Sequence, residues 1–272
     1  MTSPVERRLV ALDIDGTVLR EDGSLGSATI DEVRRVHELG HEVMLATGRS
    51  VAMTLPVLDR LGIAPAFLVC ANGAIVLGRD ADAPTGYRRA RVDTFDPREV
   101  LTTIRSHLEH ASYAVEDADG LFRYSGTFPD GAISANSERV EFDELLSAAA
   151  TRVVVISPDH AIDEFLSVVE KMGLHKVSYN VGWTAWLDIA PDGVNKSTGL
   201  EFVRERLGIP RSAVIVIGDG RNDIDMFEWA ASEGAAIAMG QSPEELLAVS
   251  NDVTGTDVED GVASALARYF QG

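Results

Sequence analysis

The sequence predicts an α/β fold, a doubly wound parallel sheet interrupted by an inserted α+β domain. Three observations carry that expectation. Short continuous apolar runs alternate with amphipathic helical stretches towards both ends of the chain, the pattern of βαβ units whose sheet is covered on both faces. From about 82 to 187 the runs are alternating or mixed and follow one another directly, which suits an antiparallel layer. The turn-rich stretches "GRDADAPTG" (78–86) and "APDGVNK" (190–196) stand where the chain would cross between the two. The expected division is a core of 1–81 and 188–272 and an insertion of 82–187.

Taken in order, "LVALDI" (9–14) is the first strand, and a helix follows over 28–39, with Ile30, Val33 and Val36 or His37 on one face. "EVMLA" (42–46) is the second strand, 50–61 the second helix and "AFLVC" (66–70) the third strand. In the insertion, "GYRRARV", "SYAVED", "LFRYSG", "RVVVIS", "KVSYNV" and "TAWLDI" are strand-like, and 97–110 and 160–172 are helical. The core resumes with a helix over 197–207, strands "AVIVIG" (213–218) and "AAIAM" (235–239), and a short helix over 243–249. Gly40, Gly62 and Gly208 stand just past three of these helices, where left-handed backbone closes the last turn. There is no internal repeat and no low-complexity tract.

Composition narrows the function classes. Hydrophobic residues make up 45% and charged residues 25% of 272, an ordinary globular balance that speaks against disorder. Acidic residues outnumber basic ones 43 to 24, for a net charge of −19. That argues against nucleic acid or an anionic membrane as partner, since both need clustered Lys and Arg. An anionic substrate would need a strong local positive site. The single cysteine, Cys70, excludes an internal disulfide and a thiolate metal site, and reads as a small buried apolar residue. "MTSPVERRLV" lacks the charged-then-apolar form of a signal peptide, and no apolar run approaches the roughly 18 residues of a membrane helix. The expectation is a soluble cytoplasmic protein, monomer or homodimer.

Three core strands end in polar residues. The first supplies Asp13, Asp15, Gly16 and Thr17, the second Thr47, Gly48 and Arg49, and a later one Asp219, Asn222 and Asp223. In open parallel sheets ligands bind beyond the carboxyl ends of the strands. One such cluster is ordinary turn chemistry; three on one edge point to a site. The surplus of carboxylates there fits a hard divalent cation such as Mg²⁺, which takes oxygen ligands. Asp13 and Asp219 are the natural side-chain ligands, with a main-chain oxygen near Asp15 completing the protein's share. Asp13 and Asp15, two apart in an extended segment, would face one side, so that one attacks phosphorus while the other handles the proton of the leaving oxygen. For that, the carboxyl of Asp15 must rise above the usual value of about 3.9. Positive charge and donors for a transferring phosphoryl group would come from Thr47, the amides after Asp15 and at Gly48, and Lys196, placed at a helix N-terminus where main-chain N–H groups favour anions.

In order and spacing, "DIDGT", "ATGR", "NK" and "GDGRND" resemble the four motifs of the haloacid dehalogenase-like hydrolase superfamily. "CANGA", "DIAPDGVNKSTGL" and "AIAMGQSPEELLAVSNDVTGTDVEDGVASAL" resemble its Cof-type subfamily of sugar-phosphate-type phosphatases. The resemblance implies Asp13 as nucleophile and Asp15 as acid/base. It implies Thr47, Gly48, Arg49, Lys196 and Asn222 around phosphate or substrate, Mg²⁺ on Asp13, Asp15 and Asp219, and Asp223 behind them orienting Lys196 or a metal-bound water. It also implies that the insertion is a C2-type cap: only residues 18–46 separate Thr17 from Thr47, whereas 48–195 separate Thr47 from Lys196. Ser197 departs from the Gly that many relatives have after the lysine. The function implied is Mg²⁺-dependent hydrolysis of a small phosphorylated metabolite through an aspartyl-phosphate. A phosphomutase of the same superfamily and a phospho-ligand sensor without turnover are the rivals.

Other features carry less. "GDGRND" lacks the third glycine of a dinucleotide loop, Asp223 standing in its place. "YRRAR" (87–91) would offer Arg88 or Arg89 to an anionic substrate, or simply solubilise an edge strand; Arg123 is similar. Trp183 and Trp186 fit a sugar-stacking surface less well than the core of the cap. His37, His41, His107, His110, His160 and His175 show no ligand spacing with the motif residues.

Overall fold

The structure, a computed structural model, describes residues 7–271 except 159, 173, 175–176 and 182–184; Trp183 and His175 therefore lie outside the described residues. In chain order the core opens with β1 (Leu9–Leu12), α1 (Ser27–Glu38), β2 (Glu42–Leu45), α2 (Val51–Leu61), β3 (Phe67–Cys70), β4 (Ile75–Arg79) and β5 (Tyr87–Val92). The middle holds α3 (Arg98–His107), β6 (Ser112–Asp117), β7 (Phe122–Ser125), β8 (Ser137–Arg139), β9 (Ala150–Ile156), α4 (Ile162–Met172), β10 (Val177–Val181) and β11 (Trp186–Pro191). The chain closes with α5 (Lys196–Leu207), β12 (Val214–Gly218), α6 (Ile224–Ala231), β13 (Ala235–Ala238), α7 (Glu244–Val249), β14 (Asp252–Val253) and α8 (Gly261–Tyr269).

Among the described residues the central sheet is parallel, in the order β14-β13-β12-β1-β2, and a bridge between Ala46 and Val69 sets β3 alongside β2. In this sheet β1, β2, β12 and β13 are nearly continuous apolar runs because both faces are covered, and successive side chains alternate between them. Val10 and Leu12 pack with Val33, Leu58 and Leu266 of α1, α2 and α8. Leu9 and Ala11 pack with Leu200, Phe227 and Leu246 of α5, α6 and α7. The chain leaves β1 towards β2 on one side and leaves β12 towards β13 on the other. The crevice between β1 and β12 is thus the switch point where a doubly wound sheet opens a site. Leu12 pairs with both Ile217 and Leu45, which brings Asp13, Thr47 and Asp219 level.

The second layer is a mostly antiparallel sheet in the order β10-β11-β9-β6-β7-β8. Its two faces differ. Tyr113, Val115, Val153, Val155 and Leu187 pack against Leu101, Ile104, Phe165 and Val169 of α3 and α4. The alternate residues Ala114, Phe122, Val154 and Ile156, with Trp186 against them, form the other face, to which Glu116 and Arg152 also belong by the same period of two. The chain leaves the antiparallel sheet inside the second turn-rich stretch, between the end of β11 at Pro191 and the start of α5 at Lys196, whereas the first stretch joins two strands of one sheet. β5, expected in the insertion, hydrogen-bonds to β4 in a three-stranded antiparallel sheet with β3, and β11 carries the antiparallel layer on through Pro191. At β5, hairpin pairing with β4 decides membership, and the turn residues between the two strands do not report it.

Candidate active site

The cleft at the switch point has a volume of about 420 Å³ and is walled by both layers: Asp13, Thr47, Arg49, Asp219 and Asn222 from the core side, and Arg152, Trp186 and Asp188 from the antiparallel sheet. Its floor is a lysine among carboxylates. Lys196 opens α5, whose N-cap Asn195 accepts a hydrogen bond from the Thr198 amide, while the Thr198 hydroxyl accepts one from the Asn195 amide. Both the turn at 71–73 and the start of α5 are held in close approach: a Cβ on Gly73, at φ +99°, would lie 2.0 Å from the Asn195 carbonyl oxygen.

Lys196 has no exposed surface. Its Nζ donates to Asp13 Oδ1 at 2.6 Å and to Asp223 Oδ1 at 2.7 Å. Burial opposes its charge, but the two carboxylates more than offset this and hold its pKa above the ordinary value. Asp223 is wholly occupied, since its Oδ2 accepts from the amides of Asp219 and Gly220. Asp13 and Asp219 remain to face the cleft. Burial pushes the Asp13 carboxyl well up, Lys196 opposes this, and Asp223 and Asp219 add to it. Burial, with Asp223 beside it, pushes Asp219 up to about 7. One oxygen each from Asp13, Asp219 and Asp223 lie within 4.8 Å of one another, all three residues being buried. Gly16 roofs this cluster at φ +70°, and a Cβ there would lie 2.1 Å from Asp219 Oδ2. Thr17 Oγ1 donates to Asp219 Oδ1 at 3.2 Å. Three buried carboxylates against one lysine form a set short of positive charge, and a divalent cation fits it.

Asp13 and Asp15 both line the cleft, but of the two only Asp13 belongs to the buried carboxylate cluster. The strand ends at Leu12, and the chain then turns, with the Thr17 and Leu19 amides donating to Ile14 oxygen. The two-residue period therefore does not carry the Asp15 side chain into the cluster with Asp13. It lines the cleft at its mouth, 63% exposed, where Arg49 grips it with Nε at 2.9 Å and Nη2 at 2.5 Å. The buried cluster carboxylates are Asp13, Asp219 and Asp223, and the ligand expected there near Asp15 is a main-chain oxygen. Thr47 is buried at the wall; its hydroxyl accepts from the Arg49 amide at 3.1 Å, which leaves its own proton to donate.

Four polar residues in the cleft escaped the sequence reading, Asn72, Arg152, Asp188 and Arg221, the last paired with Glu245. Asn72 Nδ2 donates to Asp188 Oδ2 at 3.3 Å, and its Oδ1 accepts from Asn222 Nδ2 at 3.2 Å. Arg152 donates to the main-chain oxygen of Gly48. A signal for Asn72 existed in "CANGA", where Asn-Gly marks a turn and the residue takes φ 49°. Arg152 and Asp188 sit inside strands and carry no local signal. Conversely, Arg88 and Arg89 lie on the exposed strand β5, Arg88 near Asp80, and Arg123 pairs with Glu138 and Asp117; none lines the cleft. Trp186 both packs against the Ala114–Ile156 face and lines the cleft.

Residues 10–266 match the family of haloacid dehalogenase-like hydrolases. The chain belongs to this family. It is 27% identical to the 5-amino-6-(5-phospho-D-ribitylamino)uracil phosphatase YitU of Bacillus subtilis, over 96% of this chain and 97% of that one. It is also 27% identical to the pyridoxal phosphate phosphatase YbhA of Escherichia coli, over 97% and 98%. Among solved structures, a sugar phosphatase of subclass IIB of the superfamily superposes with a TM-score of 0.80 at 21% identity, covering 96% of this chain and 98% of that chain. A Thermotoga maritima protein gives 0.75 at 22%, covering 98% of both. The fold is that of a parallel α/β core with an antiparallel sheet layered over it, as in these neighbours. Among the described residues no helix is long and apolar enough to cross a membrane.

Proposed function

We propose that this haloacid dehalogenase-like hydrolase is a phosphatase that removes the phosphoryl group from a small phosphorylated metabolite through an aspartyl-phosphate. The observation that carries the reading is the buried Lys196 set between Asp13 and Asp223 on the floor of a two-walled cleft. With Oδ1 of Asp13 held by the lysine, Oδ2 is the oxygen that attacks phosphorus as the bond to the leaving oxygen breaks. Asp15 gives that oxygen its proton, then takes one from the water that cleaves the acyl-phosphate and frees inorganic phosphate. To do so it exchanges the grip of Arg49 for the leaving oxygen, and Arg49 is thereby released towards the phosphoryl oxygens. Lys196, the Thr47 hydroxyl and the amide of Gly48 supply the remaining donors. Asp13 and Asp219, with a main-chain oxygen near Asp15, would hold Mg²⁺, which offsets the carboxylate repulsion and the charge of the phosphoryl group when bound.

The volume of the cleft, about 420 Å³, suits a metabolite rather than a polymer. The relatives named above differ in substrate, a ribityl-aminouracil phosphate for one and pyridoxal phosphate for the other, and share the phosphomonoester. We propose the same bond class here and a cytoplasmic location, in keeping with the one buried thiol. Purified protein with Mg²⁺ should release phosphate from p-nitrophenyl phosphate, and Asp13→Asn should lower kcat by at least about 10³-fold. Substantial retained turnover rejects Asp13 as nucleophile, and a panel of phosphorylated metabolites assayed for liberated phosphate then orders the substrates.

A further inference from the structure

Arg152 belongs to β9 of the antiparallel sheet, yet among the described residues its one side-chain hydrogen bond crosses to the core, from Nη1 to the main-chain oxygen of Gly48. Gly48 lies between Thr47 and Arg49, so the guanidinium rests on the backbone that presents both of them. Around Arg152 the local partners are close but not engaged. Asp188 Oδ1 is 3.4 Å and Glu116 Oε2 3.9 Å from Nε, with side-chain exposures of 4%, 14% and 0% for Arg152, Asp188 and Glu116. Among the described residues, Arg152 Nε, Asp188 Oδ1 and both Glu116 carboxylate oxygens have no hydrogen-bond partner.

For the stability of the antiparallel layer alone this is a poor arrangement. A buried guanidinium loses its hydration, and an apolar side chain of the same volume over Phe122 would serve that layer as well or better. The charge makes sense as a connector. A second polar contact runs beside it, from Asp188 through Asn72 to Asn222. The guanidinium has two sets of acceptors within reach, the Gly48 carbonyl across the cleft and the Glu116 and Asp188 carboxylates behind it. Small shifts between two such packings are how a closing layer becomes a switch.

We infer that Arg152 is a positioning residue, a latch that holds the antiparallel layer down on the Thr47–Arg49 backbone and so fixes the phosphoryl-binding groups carried there. When the layer lifts, Arg152 falls back onto Glu116 and Asp188 and the loop is freed. The inference deepens the phosphatase reading and rests on it for its kinetic consequence only. Weakening the latch lowers the fraction of molecules in the binding-competent arrangement, which raises the apparent KM in proportion while leaving the chemical step alone.

Two variants test it. Arg152→Lys keeps the charge but reaches with one ammonium; Glu116→Gln with Arg152→Met removes the guanidinium together with a buried counter-charge, which guards against simple misfolding. Hydrogen exchange is followed in peptides covering 46–50 and 70–74, with 214–218 as the internal control, and steady-state kinetics with p-nitrophenyl phosphate. The expected result is exchange about tenfold faster in the two loop peptides and unchanged in the control, with KM raised about tenfold and kcat within about threefold in both variants. A merely structural role would instead lower the active fraction at constant KM. Unchanged exchange in both variants, or faster exchange with an unchanged KM, overturns the latch. If the wild type releases no phosphate, the phosphatase reading falls while the exchange measurement alone still decides whether Arg152 latches.

Discussion

A lysine without exposed surface keeps its charge only where carboxylates surround it, and Lys196 has Asp13 at 2.6 Å and Asp223 at 2.7 Å. Removing any one member leaves the others as uncompensated buried charges, so these positions hold one another in place. Asp15 stands outside that mutual dependence. Its carboxylate is 63% exposed and paired with Arg49 alone among the described residues, so Asp15→Asn should leave the fold and its melting temperature within experimental error. kcat for p-nitrophenyl phosphate should nevertheless fall about 10²- to 10⁴-fold, the usual worth of a positioned proton donor. Wild-type turnover in the purified variant would strip Asp15 of the acid/base role. The contrast between Asp15 and Asp13 also marks where residue-level reading stops. Asp13, Thr47, Asp219 and Asp223 were readable because each follows an apolar strand of the core, and such strand ends gather at one edge; Lys196 was readable because it opens a helix after a Pro-Asp-Gly turn. The direction of the Asp15 side chain was not, because it depends on where β1 stops and how the Ile14 carbonyl is used by the turn.

At the scale of elements, the same distinction separates local from cross-strand information. α1, α2 and α5 were visible in their apolar spacing and the glycines just past their last turns, and Gly62 and Gly208 do take φ +68° and +65°. The pairing β6·β9·β11 sets Glu116 opposite Arg152 and brings Asp188 beside them, and nothing local in "SYAVED" or "RVVVIS" announces it. That pairing has a measurable consequence. Burial pushes the Glu116 carboxyl up to about 7; Arg152 and Arg89 oppose this, while Asp188 and Asp117 add to it. A carboxyl raised in the folded state favours folding while it is protonated. Its contribution is fully present below about pH 4.5 and is lost as pH rises through about 7, an effect on the order of 3 kcal/mol. Chemical denaturation across pH 5 to 8 should show the Glu116→Gln variant losing less stability than wild type over that span. Parallel pH profiles for the two proteins would show that Glu116 is ionised throughout and that Arg152 neutralises it.

The whole molecule carries −19 at pH 7 and is proposed to receive an anion, so its long-range field and its local field have opposite tasks. Near the cleft Lys196, Arg49, Arg152 and Arg221 are matched against Asp13, Asp15, Asp219, Asp223, Asp188, Glu116 and Glu245, so the local cations have carboxylate partners and a bound divalent ion leaves little net positive field to project outward. What an approaching phosphomonoester meets beyond about 10 Å is then the acidic surface. Salt screens exposed charges separated by more than a Debye length far more than it screens buried pairs. Raising ionic strength from about 10 to 150 mM at fixed Mg²⁺ should therefore weaken the repulsion while sparing the floor of the cleft, and kcat/KM for a dianionic ester should rise about two- to threefold. The rise should come from faster association, with kcat unchanged. A kcat/KM that falls with added salt would mean that the cleft projects a positive field past its own rim, and that the acidic exterior lies on faces the substrate does not cross.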